Sequence, residues 1–479
     1  MNTQSFNPIA PEIMEAMCAK IERKSQINPE DFWKYGVKRG LRNPDGTGVM
    51  AGLTKICSVE GYYIDDGERV PKDGVLKYRG INIRSIIEGC EKENRFGFEE
   101  VAYLLIFGSL PSRDQLALFQ QALGYSRELP PDFIEDVLMK NASFDVMNKL
   151  ARCILVLYSF DEKADDISLD NVLRQSLQIM SQMPLLSCYA YQVKRMKYYG
   201  KSMYFHPDRK ELSTAETILR SIRADRKYTD AEAKLLDICL MLQAEHGGGN
   251  NSTFTCRVLT SSGTDSYSAY SAAVGALKGP RHGGANLKVC KMLSDMLEHI
   301  DDVNDDAQVV AYLEKIFRKE AGDGSGLVYG MGHAVYTISD PRAQILRDKA
   351  ERFAIGSPYE KEFMLAKAIE RLTPEVFHRV TGKTKPMCAN VDLYSGIVYH
   401  ILGIPEDMFT PLFATARIAG WSAHRMEELL TGGRIIRPAY KSVALPKKYV
   451  PIEERINNFA NPSHYIPSEE RLYTEVKDI

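Results

Sequence analysis

A repeated helix-start signature constrains this chain more than any other feature. Ser112 to Gln115, Ser213 to Glu216 and Thr229 to Glu232 each place a hydroxyl three residues ahead of a Glu or Gln. At that spacing the hydroxyl accepts an unpaired N–H of a helix's first turn, and the longer side chain returns to the cap backbone. The stretch ANLKVCKMLSDMLEHI adds an amphipathic stripe, with Val289, Met292, Leu293, Met296, Leu297 and Ile300 at three- and four-residue spacing. Asp340 followed by Pro341 is a cap and first-turn pair that opens a helix through RAQILRDKAERFA. Strand signals are scarce. The best are KICSVEGYYID and GVLKYRG, separated by the turn-rich DDGERVPKDG, which predict a small hairpin near the N-terminus. The fold class is mainly α.

At 479 residues the chain is too long for one small core, so two domains or one large helical domain with an insertion are expected. Its 61 Lys and Arg nearly balance 63 Asp and Glu. That balance gives no global field for nucleic acid or an anionic membrane, so any anion binding is local. The nine cysteines are spread from Cys18 to Cys388 without a CxxC pair, which predicts reduced, mostly buried thiols and no metal ligands. The start, MNTQSFNPIAPEIMEAMCAK, lacks an apolar leader core, and no run approaches the ~20 apolar residues that cross a bilayer. A cytoplasmic protein is expected.

Three short stretches carry polar groups among residues of free backbone or apolar character: GPRHGGAN at 279–286, GMGHAVYTISDPRA at 330–343 and NVDLYSG at 390–396. They supply His282, His333 and Asp392. Glycine permits close approach of backbone to a ligand, so both histidines are candidates for rings fixed at a cleft. Each could equally be a structural histidine in a glycine-rich loop. Arginine supplies a second set. Arg342 follows the Asp-Pro start, Arg417 sits inside the apolar FTPLFATARIAGW, and Arg437 lies in the turn GGRIIRPAY. A buried guanidinium needs an anion. An internal Asp or Glu would serve, but several arginines with two histidines and an aspartate suggest a polycarboxylate ligand, which the planar guanidinium fork binds by two parallel hydrogen bonds.

In this order and spacing, GPRHGGAN, GHAVYTISDPRA and NVDLYSG resemble the signature segments of citrate synthases and the related 2-methylcitrate synthases. FEEVAYLLIFGSLPS, VLKYRGINI and ATARIAGWSAH resemble further family segments, so the likeness covers most of the chain beyond about residue 50. The resemblance implies an acyltransferase that converts the acyl group to alkyl, forming citrate for the tricarboxylic acid cycle from acetyl-CoA and oxaloacetate, with no metal and no cofactor beyond the acetyl-CoA substrate. It implies that His282 stabilises the enol or enolate of acetyl-CoA, that Asp392 removes the methyl proton, and that His333 donates to the keto oxygen of oxaloacetate. It also implies that His246, Arg342, Arg417 and Arg437 bind oxaloacetate, Arg437 reaching across a homodimer. The implied architecture is a two-domain helical fold, with 1–283 and 401–479 as a large domain and 284–400 as a small one that closes over the substrate.

Two positions and one segment depart from the family pattern. Thr337 stands where a basic residue is common, Gln243 where some bacterial relatives have a second histidine, and the first 45 or so residues look helical rather than β-rich. The basic stretch 191–211 is read as a solvated connection rather than a CoA contact. Three other functions stay open: a 2-methylcitrate synthase using propionyl-CoA, a non-catalytic paralogue, and a non-haem iron site at His282, His333 and Asp392. The last is disfavoured because its ligands usually include a short His-x-Asp/Glu pair.

Overall fold

In a computed structural model, which describes residues 11–455 apart from Lys385, Gly432 and the side chain of Glu12, all three helix starts close as reciprocal caps. Ser112 N donates to Gln115 Oε1 at 2.8 Å and Gln115 N to Ser112 Oγ at 3.2 Å, and the other two pairs repeat this. The helices that follow are Arg113–Tyr125, Thr214–Ile222 and Asp230–Gln243. Asp340 accepts from Arg342 N at 2.9 Å and starts the helix Pro341–Ala354. The apolar stripe forms the helix Ala285–His299, which buries Val289, Met292, Leu293 and Met296; Ile300 is buried just past its end and Leu297 is partly covered. The described residues hold seventeen α-helices and one small sheet.

The chain divides into two compact units, 1–49 with 437–479, and 50–436. The described part of the first contains the helices Pro11–Ser25 and Pro29–Lys34, in keeping with a helical N-terminus, and a segment 437–455 with no helix or strand beyond the short turn Ile452–Glu454. Residues 1–10 and 456–479, part of the predicted large domain, lie outside the described residues.

The second unit is built on two helices, Leu169–Tyr199 and Phe409–Leu430, which pack together and are buried around most of their circumference. All-round burial marks a central helix. It also forces Arg417, His424 and Arg425, all fully buried, to find partners inside the protein. Both predicted parts of the large and small division, 50–283 with 401–436 and 284–400, fall within this unit.

The N-terminal hairpin is longer than the sequence suggests. Cys57–Asp65 pairs antiparallel with Glu68–Tyr78, and Ile81–Asn82 adds a short third strand. Most of DDGERVPKDG is therefore strand, not turn. Asp66 and Gly67 both have positive φ (45° and 82°) and close the hairpin in two residues, the backbone that matches strand twist. Pro71, which lacks an N–H, lies opposite Tyr62 where a bulge after Glu60 already breaks the ladder. The stretch 191–211 also divides. Through Tyr199 it completes the long helix, with Lys194 buried and paired to Asp407 at 2.7 Å; residues 197–202 and 207–211 are exposed, and 203–206 are half-buried between them. All nine cysteines are free, and seven are buried. No described helix is long and apolar enough to cross a membrane.

Candidate active site

The segment carrying His333 is fastened to the one carrying Asp392. Gly332 N donates to Cys388 O at 2.7 Å, Asn390 N to Gly330 O at 2.8 Å, and Asn390 Nδ2 to Gly332 O at 2.9 Å. Gly330 has a φ of 82° and lies so close to Leu393 that an added Cβ would fall 2.9 Å from its Cδ1. No other residue meets both conditions comfortably. Asp392 opens the helix Asp392–Ile401.

The Nδ1 atom of His333 accepts from Val335 N at 3.0 Å and Tyr336 N at 3.1 Å. The neutral ring therefore carries its proton on Nε2, which makes that nitrogen a donor. His246 follows the helix Asp230–Gln243 and meets His333 edge to face at 5.1 Å between ring centroids, with its Nε2 3.3 Å from Tyr336 Oη. Tyr336 stacks on His333 at 4.6 Å and receives the Arg342 guanidinium over its ring. Burial drives the His246 ring well below the usual histidine range, with Arg342 and His333 adding to the effect. His246 is thus neutral at pH 7.

The two buried arginines differ. Arg342 donates to Asp340 through Nε at 3.0 Å and Nη2 at 2.7 Å, so it does have an internal carboxylate partner. Arg417 gives Nε to Gln243 O at 2.7 Å, while neither terminal nitrogen has a protein partner. Burial pulls its pKa down, opposed by the Glu245 charge. His282 lies 3.1 Å from Ser252 Oγ through Nε2 and is pushed down to about 4 by burial and by Arg417. Asp392 is pushed up to about 6 by burial, which Arg342 opposes and Asp340 reinforces. His246, His282, His333, Arg342, Arg417 and Asp392 thus belong to one electrostatic neighbourhood. Arg437 is exposed and opens the segment assigned to the other unit.

Several neighbours carry no motif of their own. Glu245, fully buried, accepts from Gly247 N at 2.6 Å and pairs with His424 Nε2 at 2.9 Å. His424 Nδ1 in turn accepts from Arg257. Tyr78 Oη lies 3.0 Å from Met241 O and 3.1 Å from Glu245 O, holding the turn that presents His246. Gln243 accepts from Tyr399 Oη at 2.9 Å and packs in the core. Thr337 donates to Gly61 O at 2.6 Å, tying the His333 loop to the hairpin. Of these, Tyr78, Thr337 and His424 lie in the quoted segments VLKYRGINI, GHAVYTISDPRA and ATARIAGWSAH, whereas Glu245 and Arg257 lie in none of them. Among the described residues, the one group of His, Cys, Asp or Glu close enough to share a metal ion is Cys290, Glu362 and His400, not His282, His333 and Asp392.

Residues 43–439 match the family model described as citrate synthase, C-terminal domain. The chain is 32% identical to a citrate synthase of Synechocystis over 86% of its own length and 94% of the relative's. It is 31% identical to a 2-methylcitrate synthase of Shewanella oneidensis over 79% and 92%. Among solved structures, the citrate synthase of Thermoplasma acidophilum in a ternary complex with carboxymethyl coenzyme A and oxaloacetate superposes with a TM-score of 0.68 at 26% identity, over 84% of this chain and 97% of that one. The fold and these likenesses define an acyltransferase of the kind that turns the acyl group into an alkyl group on transfer. The chain belongs to the citrate synthase family.

Proposed function

We propose that the chain condenses acetyl-CoA with oxaloacetate and hydrolyses the citryl-CoA intermediate to citrate and CoA. The observation that carries this reading is Arg417, a buried guanidinium whose two terminal nitrogens have no protein acceptor and whose charge acts on neutral His246, the ring that packs against His333 and Tyr336. A fork of that kind matches a carboxylate. With Arg342, which also donates to Asp340, for the second carboxylate, the pair suits a short dicarboxylate, and His246 and His333 suit its keto oxygen.

In this reading Asp392 takes a methyl proton from acetyl-CoA as its electron pair moves onto the thioester oxygen. Ser252 Oγ accepts from Trp421 Nε1 and lies near both Asn250 Oδ1 and His282 Nε2. Ser252 Oγ gives its one proton to Asn250 Oδ1; in this reading the hydroxyl turns that proton to His282 Nε2 when the thioester binds, leaving the neutral ring's Nδ1–H for the thioester oxygen. The nucleophilic carbon attacks the keto carbon, and His333 Nε2–H stabilises and protonates the developing alkoxide. Water then cleaves the thioester, which makes the overall reaction favourable. Arg437 is supplied across a homodimer interface, and residues 284–400 close on the rest of the unit to exclude water during proton abstraction.

A second reading is favoured by the Shewanella relative: propionyl-CoA as the thioester, giving 2-methylcitrate. One methyl group of pocket space separates the two, about 1–3 kcal/mol. Oxaloacetate-dependent release of CoA thiol, measured with each thioester, tests both readings. A kcat/KM at least about tenfold higher for acetyl-CoA is expected; the reverse ratio selects 2-methylcitrate synthesis, and no release with either thioester rejects the enzymatic reading.

A further inference from the structure

Cys290, Glu362 and His400 are 72 and 38 residues apart in sequence, so no spacing motif joins them. The fold brings them together from three mutually packed helices, Ala285–His299, Glu360–Thr381 and Asp392–Ile401. One ligand atom from each lies within 4.8 Å of the others. A carboxylate oxygen of Glu362 is 3.2 Å from His400 Nδ1. Bonds of about 2.0–2.1 Å place two tetrahedral ligands of a zinc-class ion roughly 3.3–3.4 Å apart, so this pair is already near a ligand edge.

The surroundings fit the same chemistry. Gly396 lies one turn before His400, and a Cβ there would fall 2.5 Å from Cys290 Sγ; glycine leaves the sulfur room on the face that carries the imidazole. The opposite ring nitrogen of His400, Nε2, points to Glu406 at 3.7 Å. A carboxylate on the far nitrogen is the usual support for a metal-bound histidine, because it fixes the tautomer and raises ligand basicity. Tyr359 stacks on the ring and Phe409 flanks it, which sets its orientation. Glu406 is half exposed while Cys290 is 4% exposed, so the cluster runs from the surface into the core.

We propose that Cys290, Glu362 and His400 bind a divalent cation of the zinc class, with Glu406 holding the histidine and a water filling the fourth position. One thiolate and one carboxylate neutralise the dication, and the thiol proton leaves to solvent when the metal binds. The ion would tie together three helices, one of which starts at Asp392. Its role is structural and independent of the acyl-CoA reading.

The test uses purified full-length protein, stripped with chelator and titrated with Co²⁺, whose bond to a thiolate gives a near-ultraviolet charge-transfer band. One Co²⁺ per chain with that band is expected, displaced by Zn²⁺. Wild type and Cys18→Ser, which removes the exposed thiol, should behave alike, whereas Cys290→Ser and Glu362→Gln should lose the band. Glu406→Gln, at a half-exposed position outside the packed core, should weaken binding about 10–100-fold. Absence of the band in wild type, its loss in Cys18→Ser, or its survival in Cys290→Ser overturns the site. If Cys290→Ser fails to fold, unchanged affinity in Glu406→Gln overturns it instead.

Discussion

Asp392 and His282 occupy one neighbourhood, yet burial moves them in opposite senses. It penalises the charged form of each, so the carboxyl rises to about 6 and the imidazole falls to about 4. The base is then ionised above about pH 6, and His282 is neutral well below that. As pH falls through 6, Asp392 gains the proton that stops it from acting as a base, while the charge on His282 does not change. The profile of log kcat/KM against pH should therefore break near 6 and fall about tenfold per unit below it; a break near 4 instead would assign the limiting group to His282. The residue types of this site were legible in the sequence because glycine-flanked histidines and an apolar-flanked arginine are unusual. The supports were not. Glu245, Tyr78 and Gln243 act through backbone carbonyls and core contacts that bring together residues over 150 positions apart, and spacing alone carries no trace of them.

At the scale of elements, helix starts were the most legible feature, since a capping box is local chemistry complete within four residues. The hairpin was less so. DDGERVPKDG is rich in turn formers, yet only Asp66 and Gly67 turn, because a two-residue loop with positive φ already reverses the chain. The length of the second strand is settled by what packs on it. Gly61 and Gly74 let the hairpin press against the His333 loop: a Cβ on Gly61 would lie 2.5 Å from Val335 O, and one on Gly74 2.1 Å from Ser339 O. Thr337 adds its hydrogen bond to Gly61 at the same contact. Replacing Gly61 with Ala should therefore cost about 1–3 kcal/mol in denaturant unfolding and also depress turnover, since the loop that must move carries His333. A stable variant with unchanged kcat would show that the hairpin does not position that loop.

For the whole molecule, the helical class follows from the capping signals and the apolar periodicity, but the two central helices and the division into units do not. Residues 437–455 group with 11–49 rather than with the helix Phe409–Leu430 that precedes them, a pairing that no local signal announces. This is also where Arg437 lies. If Arg437 completes a site across a dimer, inactive Arg437→Leu and inactive Asp392→Asn subunits should regain part of the activity when mixed and reassociated, because one of the two sites in each heterodimer then carries both native residues. No recovery in verified heterodimers would mean that each site is complete within one chain. The central claim, that Asp392 removes the proton that starts condensation, is tested most directly by CoA release from Asp392→Asn alongside oxaloacetate binding measured by calorimetry. Release should fall roughly 10²–10⁴-fold with oxaloacetate affinity nearly unchanged; near-wild-type release from that variant would contradict the assignment of Asp392 as the base.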